Sequence, residues 1–137
     1  VSESEQILAE KLFAVFEMLR DSDKFKNSGT ARMLREKDSD FFRGRAAEEL
    51  VELRGVVDGS HRHSDDFEKD FVLESSQTFY WFALSAIVEN KNFTEFLQNS
   101  ATEIAALEKI HAENKIPLGK IFEKDLKECA KKGYLKN

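Results

Sequence analysis

Apolar residues recur along this chain at helical spacing, and strand-like alternation is absent throughout. Between residues 4 and 20, Ile7, Leu8, Leu12, Val15, Phe16 and Leu19 fall three and four apart among charged positions, the stripe of an amphipathic first helix. Asp21-Ser22-Asp23 ends it, and Phe25-Lys26-Asn27 makes a short connection. Ser28 or Thr30 can cap a short second helix through Ala31, Met33 and Leu34. Asp38-Ser39 supplies the next N-cap, and Phe41, Phe42, Ala46, Glu49, Leu50 and Leu53 predict a long helix over about residues 39–57. Asp58-Gly59-Ser60 reads as a turn, with a loop running to Ser64. Ser64, Asp65 and Asp66 then mark a helix N-terminus, with acids where the helix dipole favours them.

The helix that follows, over about residues 65–90, differs from the others. From Thr78 to Val88 it reads TFYWFALSAIV, apolar nearly all round. A helix with one apolar stripe needs one neighbour, whereas one apolar on most faces must be covered on several sides. This predicts a central helix and, beyond it, a helix-to-helix interface between copies, hence a homodimer or higher homo-oligomer. Asn90-Lys91-Asn92 breaks the pattern, and Thr94 can cap one helix through Phe96, Leu97, Ile104, Leu107 and Ile110. Pro117 sets off a last basic helix, Leu118 to Lys132, with Ile121, Phe122, Leu126 and Cys129 on its apolar side. The expected fold is an all-α helical bundle, residues 1–137 forming a single domain without repeats.

Composition agrees with that reading. Of 137 residues, 41% are hydrophobic and 34% charged, with 6 Gly and 1 Pro, a balance that excludes disordered and turn-crowded strand folds. No stretch approaches the roughly 20 apolar residues of a membrane span, and the first six residues lack the basic start and apolar run of a signal peptide. Cys129 is the only cysteine, which rules out an internal disulfide and a cysteine-based metal site. The expected setting is reducing and cytoplasmic. The net charge of −5 argues against sequence-independent nucleic-acid binding. It is uneven, +3 over residues 120–137 and −8 over the rest, so an acidic body is either a solvated surface or a place for divalent cations.

The acids that bear on this choice are Glu48, Glu49 and Glu52 on the long helix and Glu74 on the apolar one. Spacings of three and four put the first three on one broad side, where like charges cost a few tenths of a kcal/mol each unless compensated. Glu74 borders the most apolar run of the chain, where an isolated charge is costly. If the two helices fold back on each other across the 58–64 loop, Glu74 can face Glu49 and Glu52. Carboxylates converging from two helices are how bundles build hard-cation sites, and oxygen ligands favour Mg²⁺ or Mn²⁺ over Zn²⁺. The competing reading of Glu48, Glu49 and Glu52 is a solvated helix face.

Residues 28–52, SGTARMLREKDSDFFRGRAAEELVE, resemble the S-Y-T-A-R/K-L start and K-x-x-E-E-x-x-E helix of the phosphoribosyl-ATP pyrophosphatases. Residues 74–87, ESSQTFYWFALSAI, resemble the E-x-x-D-L-L-Y-H-L-L-V-L helix of the same family. That family belongs to the all-α nucleoside triphosphate pyrophosphohydrolases, with the MazG-like and dimeric dUTPase-type enzymes, whose shared signature is EExxE followed by ExxD. The resemblance covers residues 28–90 and leaves 91–137 as a C-terminal helical extension. It implies Mg²⁺-dependent hydrolysis between the α and β phosphates of a nucleotide, releasing pyrophosphate. By the same resemblance Glu48, Glu49, Glu52 and Glu74 match the metal ligands, with Glu49 as the general base. Gln77 stands where the signature has Asp; its carbonyl oxygen can ligate a hard cation but is neutral and is no base. Tyr80-Trp81 likewise replaces a Tyr-His pair. These departures motivate the alternative of a catalytically impaired helical protein that keeps the fold for binding or assembly.

Arg32, in the Thr30-Ala31-Arg32 start, and Arg45, just before the acids, are candidate phosphate ligands, since guanidinium forks suit phosphate oxygens. The alternative for these, and for Arg35, Lys37 and Arg43, is a set of surface cations. His61-Arg62-His63 reads as a solvent-exposed loop. Phe79 to Phe82 read as core or inter-copy contact. Ser75-Ser76 has no His at motif spacing, Cys129 reads as packing, and the lysine-rich tail reads as a solvated face.

Overall fold

The computed structural model describes residues 1–135, and among them every regular element is helical. The helices are α1 (Glu3–Asp21), α2 (Gly29–Glu36), α3 (Ser39–Asp58), α4 (Phe67–Val88), α5 (Phe93–Asn99), α6 (Ala101–Glu113) and α7 (Gly119–Lys131), with a single 3₁₀ turn at Asp23–Phe25. Their starts follow local chemistry. The side chains of Ser28, Asp38 and Asp66 accept hydrogen bonds from the backbone N–H groups of Ala31, Phe41 and Lys69, each satisfying an orphan donor of the first turn. Helix α3 ends on Gly59, whose φ of 89° is a left-handed cap that glycine adopts without a Cβ penalty.

Helices α3 and α4 pack along each other as an antiparallel pair. Phe42, early in α3, stacks on Trp81, late in α4, at 6.1 Å between ring centroids. Helices α1, α2 and α7 cover the rest of α4. Fourteen of its 22 residues are buried, and no large hydrophobic side chain of α4 is exposed among the described residues. The apolar surplus that predicted an interface between copies is therefore absorbed within the chain. Phe79 meets Phe122 of α7 at 4.9 Å and Phe96 of α5 at 5.9 Å, and Phe13 of α1 meets Phe96 at 5.0 Å. These edge-on and tilted ring contacts join four helices in one core.

The segment expected as one helix from Thr94 is two. Asn92, not Thr94, caps α5 in a reciprocal capping box with Glu95. The chain breaks at buried Ser100, whose φ of −115° and ψ of 27° leave the helical region. With the bend at Ser100, Phe96, Ile104 and Leu107 are all buried.

Candidate functional site

Glu49 and Glu52 of α3 and Glu74 of α4 bring carboxylate oxygens within 4.8 Å of one another. The antiparallel pairing of α3 and α4 makes this meeting possible, as the loop between them expected. Glu49 is 7% exposed and Glu74 4%, so these are not solvated charges. Burial, then the neighbouring carboxylates of Glu52 and Glu74, pushes Glu49 up to about 8. Glu52 is held below its usual value, first by its hydrogen bond with Glu49. Glu49 and Glu52 thus share a proton rather than carry two charges.

Arg45 secures the edge of the cluster. Its guanidinium pairs with Glu48, reaches Glu49 Oε1 at 3.2 Å, and lies 5.1 Å from the centroid of the Trp81 ring. Glu48 is exposed and outside the cluster. At about 100° per residue, Glu52 lies roughly 60° and Glu48 roughly 100° around α3 from Glu49, too far to turn toward α4. Gln77 points to a different place, lining a cavity of about 270 Å³ between α1, α2, α4 and α7 together with Ser76, Tyr80 and Asp125. Arg32 is on the exposed side of α2 and makes no ion pair among the described residues. The solvated-face reading therefore holds for Glu48 and Arg32, and not for Glu49.

The histidine loop is exposed at Arg62 and His63, as expected, but its place was not foreseen. It lies against the cluster: His63 Nε2 is 2.6 Å and His61 Nε2 3.7 Å from Glu74 Oε1. His63 is drawn to a raised pKa chiefly by its hydrogen bond with Glu74. Four hydrogen bonds and one close approach hold the loop there. The backbone N–H groups of His63 and Ser64 donate to Asp70 Oδ2 at 2.9 and 3.0 Å, and Ser64 Oγ donates to Asp70 Oδ1 at 2.8 Å. Burial raises the Asp70 pKa, but these hydrogen bonds outweigh it and set the carboxyl below its usual value. His61 N–H donates to Gly55 O at 3.0 Å, and a Cβ on Gly55 would come within 2.7 Å of His61 Cβ. Only a residue without a side chain lets α3 and the loop approach this closely. The available signals were Gly55 inside a helix and Asp70 one turn before Glu74, both silent until the loop is seen folded back.

Two buried atoms in the cluster make no hydrogen bond: Glu74 Oε2 and His61 Nε2. Buried polar atoms are ordinarily paired, so these two orphans, one on a carboxylate shared by both metal-capable groups, fit a cation as partner. The donor set suits one, with carboxylates of Glu49, Glu52 and Glu74 able to hold a divalent ion. Elsewhere, buried His111 bonds the hydroxyl of buried Ser75 and Ile116 O, with its pKa lowered by burial. This supplies the histidine that spacing did not show, but the pair is enclosed in core and serves packing. Compared with protein-family models, with curated proteins and with solved structures, the chain matches none.

Proposed function

We propose that Glu49, Glu52 and Glu74 form a divalent-cation centre, Mg²⁺ or Mn²⁺, and that the chain hydrolyses the α–β phosphoanhydride of a nucleotide to release pyrophosphate. The observation that carries this reading is the convergence of three carboxylates from two helices, one of them the buried Glu74 with an unpartnered Oε2. The resemblance of residues 28–52 and 74–87 to the all-α pyrophosphohydrolases supplies the reaction class. When bound, the cation would offset phosphate charge and acidify water. The chain's own residues do the rest. Glu49, in its ionised form, accepts the proton of the attacking water as its oxygen bonds to the α phosphorus and the bond to the pyrophosphate oxygen breaks. Arg45 fixes Glu49 at one edge, and the apolar wall of Phe42 and Trp81 behind it limits water.

The test is incubation of the purified chain with a panel of nucleoside triphosphates and Mg²⁺ or Mn²⁺, following pyrophosphate. Release from at least one substrate is expected, abolished by Glu74→Gln. A panel that releases none, with either ion, overturns the assignment of the reaction. Cation binding has its own readout, a rise in thermal stability with ion concentration. At an ion concentration about 100 times the dissociation constant, mass action adds about 2.7 kcal/mol.

A further inference from the structure

The resemblance that supplies the reaction class implies oxygen ligands alone, yet the acids here share their site with two imidazoles. Two groups of metal-capable side chains occur among the described residues: Glu49, Glu52 and Glu74, and His61, His63 and Glu74. Glu74 belongs to both. We propose that His61 and His63 ligate through Nε2 beside Glu74, making this a mixed nitrogen and oxygen centre that takes a first-row transition-metal dication in preference to Mg²⁺.

The donor spacing lies close to that of ligands on one ion. Cis ligands at metal–donor distances near 2.1 Å are about 3.0–3.4 Å apart. The Nε2 atoms of His63 and His61, 2.6 and 3.7 Å from Glu74 Oε1, straddle that spacing. The two rings are 4.7 Å apart and nearly perpendicular. Arg62, between them in sequence, folds its guanidinium over the Phe67 ring at 5.2 Å and adds no charge to the ligand set. The loop backbone is held by Asp70 on one side and the side-chain-free surface of Gly55 on the other, which fixes where the two imidazoles start from. Glu74, 4% exposed, carries an unpartnered Oε2, and His61 Nε2 is unpartnered as well. Both imidazoles also match the chemistry: neutral imidazole suits Zn²⁺, Cu²⁺, Fe²⁺ and Ni²⁺, whereas Mg²⁺ demands oxygen and keeps its waters.

This inference rests on the cation-centre half of the proposed function and not on the reaction, so its test reads metal binding alone. Chelator-treated chain is titrated calorimetrically with Zn²⁺, Mn²⁺ and Mg²⁺, beside a His61→Gln/His63→Gln variant whose fold is checked by circular dichroism and melting. The variant is expected to lose at least about tenfold in Zn²⁺ and Mn²⁺ affinity while its Mg²⁺ affinity stays within about twofold. Electron spin-echo modulation from imidazole nitrogen is expected on Mn²⁺ in the parent and absent in the variant. Unchanged Zn²⁺ affinity in the variant, or equal losses for Zn²⁺ and Mg²⁺, overturns the histidine ligands and leaves the carboxylate centre standing. Binding of none of the three ions overturns both. Metal bound through the histidines with no pyrophosphate released from any nucleotide overturns only the reaction.

Discussion

At the scale of single residues, the site depends on Gly55 and Glu49 in opposite ways. A glycine inside a helix is ordinarily a weakness, and Gly→Ala there gains about 0.5–1 kcal/mol. Gly55 is different, because a Cβ would meet His61 Cβ at 2.7 Å and the loop would have to shift. Gly55→Ala is therefore expected to lower stability by about 1 kcal/mol in urea melts, the scale of an overpacked core position. A gain would show that the loop does not need this approach. Glu49→Gln goes the other way. The amide keeps an oxygen for Arg45 and removes one member of a crowded carboxylate trio, so the metal-free chain is expected to gain on the order of 1 kcal/mol. The same variant is expected to lose most of its stabilisation by added cation in thermal melts. Glu49 and Glu52 were legible as candidates from spacing; the roles of Gly55, His61 and His63 were not, because each depends on a contact across a turn that periodicity does not encode.

At the scale of elements, the ends of the helices divide into those that cap themselves and those capped from elsewhere. Helix α1 opens with a reciprocal box between Ser2 and Glu5. The start of α7 has no side-chain cap of its own, and Glu5 Oε2 accepts the Gly119 N–H at 3.1 Å. Burial alone would raise the Glu5 pKa, but hydrogen bonds from Ser2 and Gly119 bring it below the usual carboxylate range. Glu5→Ala removes one cap directly and another at a distance, so a loss of about 1–2 kcal/mol is expected by denaturant unfolding, against about 1 for Ser2→Ala. Equal losses would show that the contact with α7 contributes nothing. The caps at Ser28 and Asp38 were readable because they act within one turn. The cap of α7 by α1, and the bend at Ser100, were not, since both answer to packing between segments distant in sequence.

At the scale of the whole molecule, the cavity between α1, α2, α4 and α7 shows how assembly alters chemistry. Asp125 lines it and accepts a 2.6 Å hydrogen bond from Ser76. Burial pushes Asp125 up to about 6, against the pull of Ser76 and Lys124. Burial, with the nearby Asp125 charge, also pushes the Cys129 thiol up to about 11. In the unfolded chain Asp125 loses its proton near 3.8, so between there and about 6 the folded state holds a proton that the unfolded state has released. Its contribution is most favourable below pH 4 and declines as pH rises through 6, by on the order of 2 kcal/mol. Urea melts between pH 4 and 7 are expected to show that decline, and Asp125→Asn to flatten it; an unchanged slope in the variant would assign the decline to other groups. No helix among the described residues is long and apolar enough to cross a membrane, as the hydropathy pattern expected. The sequence alone determined the all-helical class, six of the helix starts to within a few residues, and the place of Glu49, Glu52 and Glu74 as acids on two successive helices, because capping, spacing and apolar periodicity act within a few residues of chain. Tertiary structure alone decided that α4 is covered by its own chain, that Glu48 and Gln77 face elsewhere, and that two loop histidines close on Glu74. Those outcomes depend on which surfaces meet when α3, α4 and α7 come together, and the energies that choose among them arise only after water has been excluded between them.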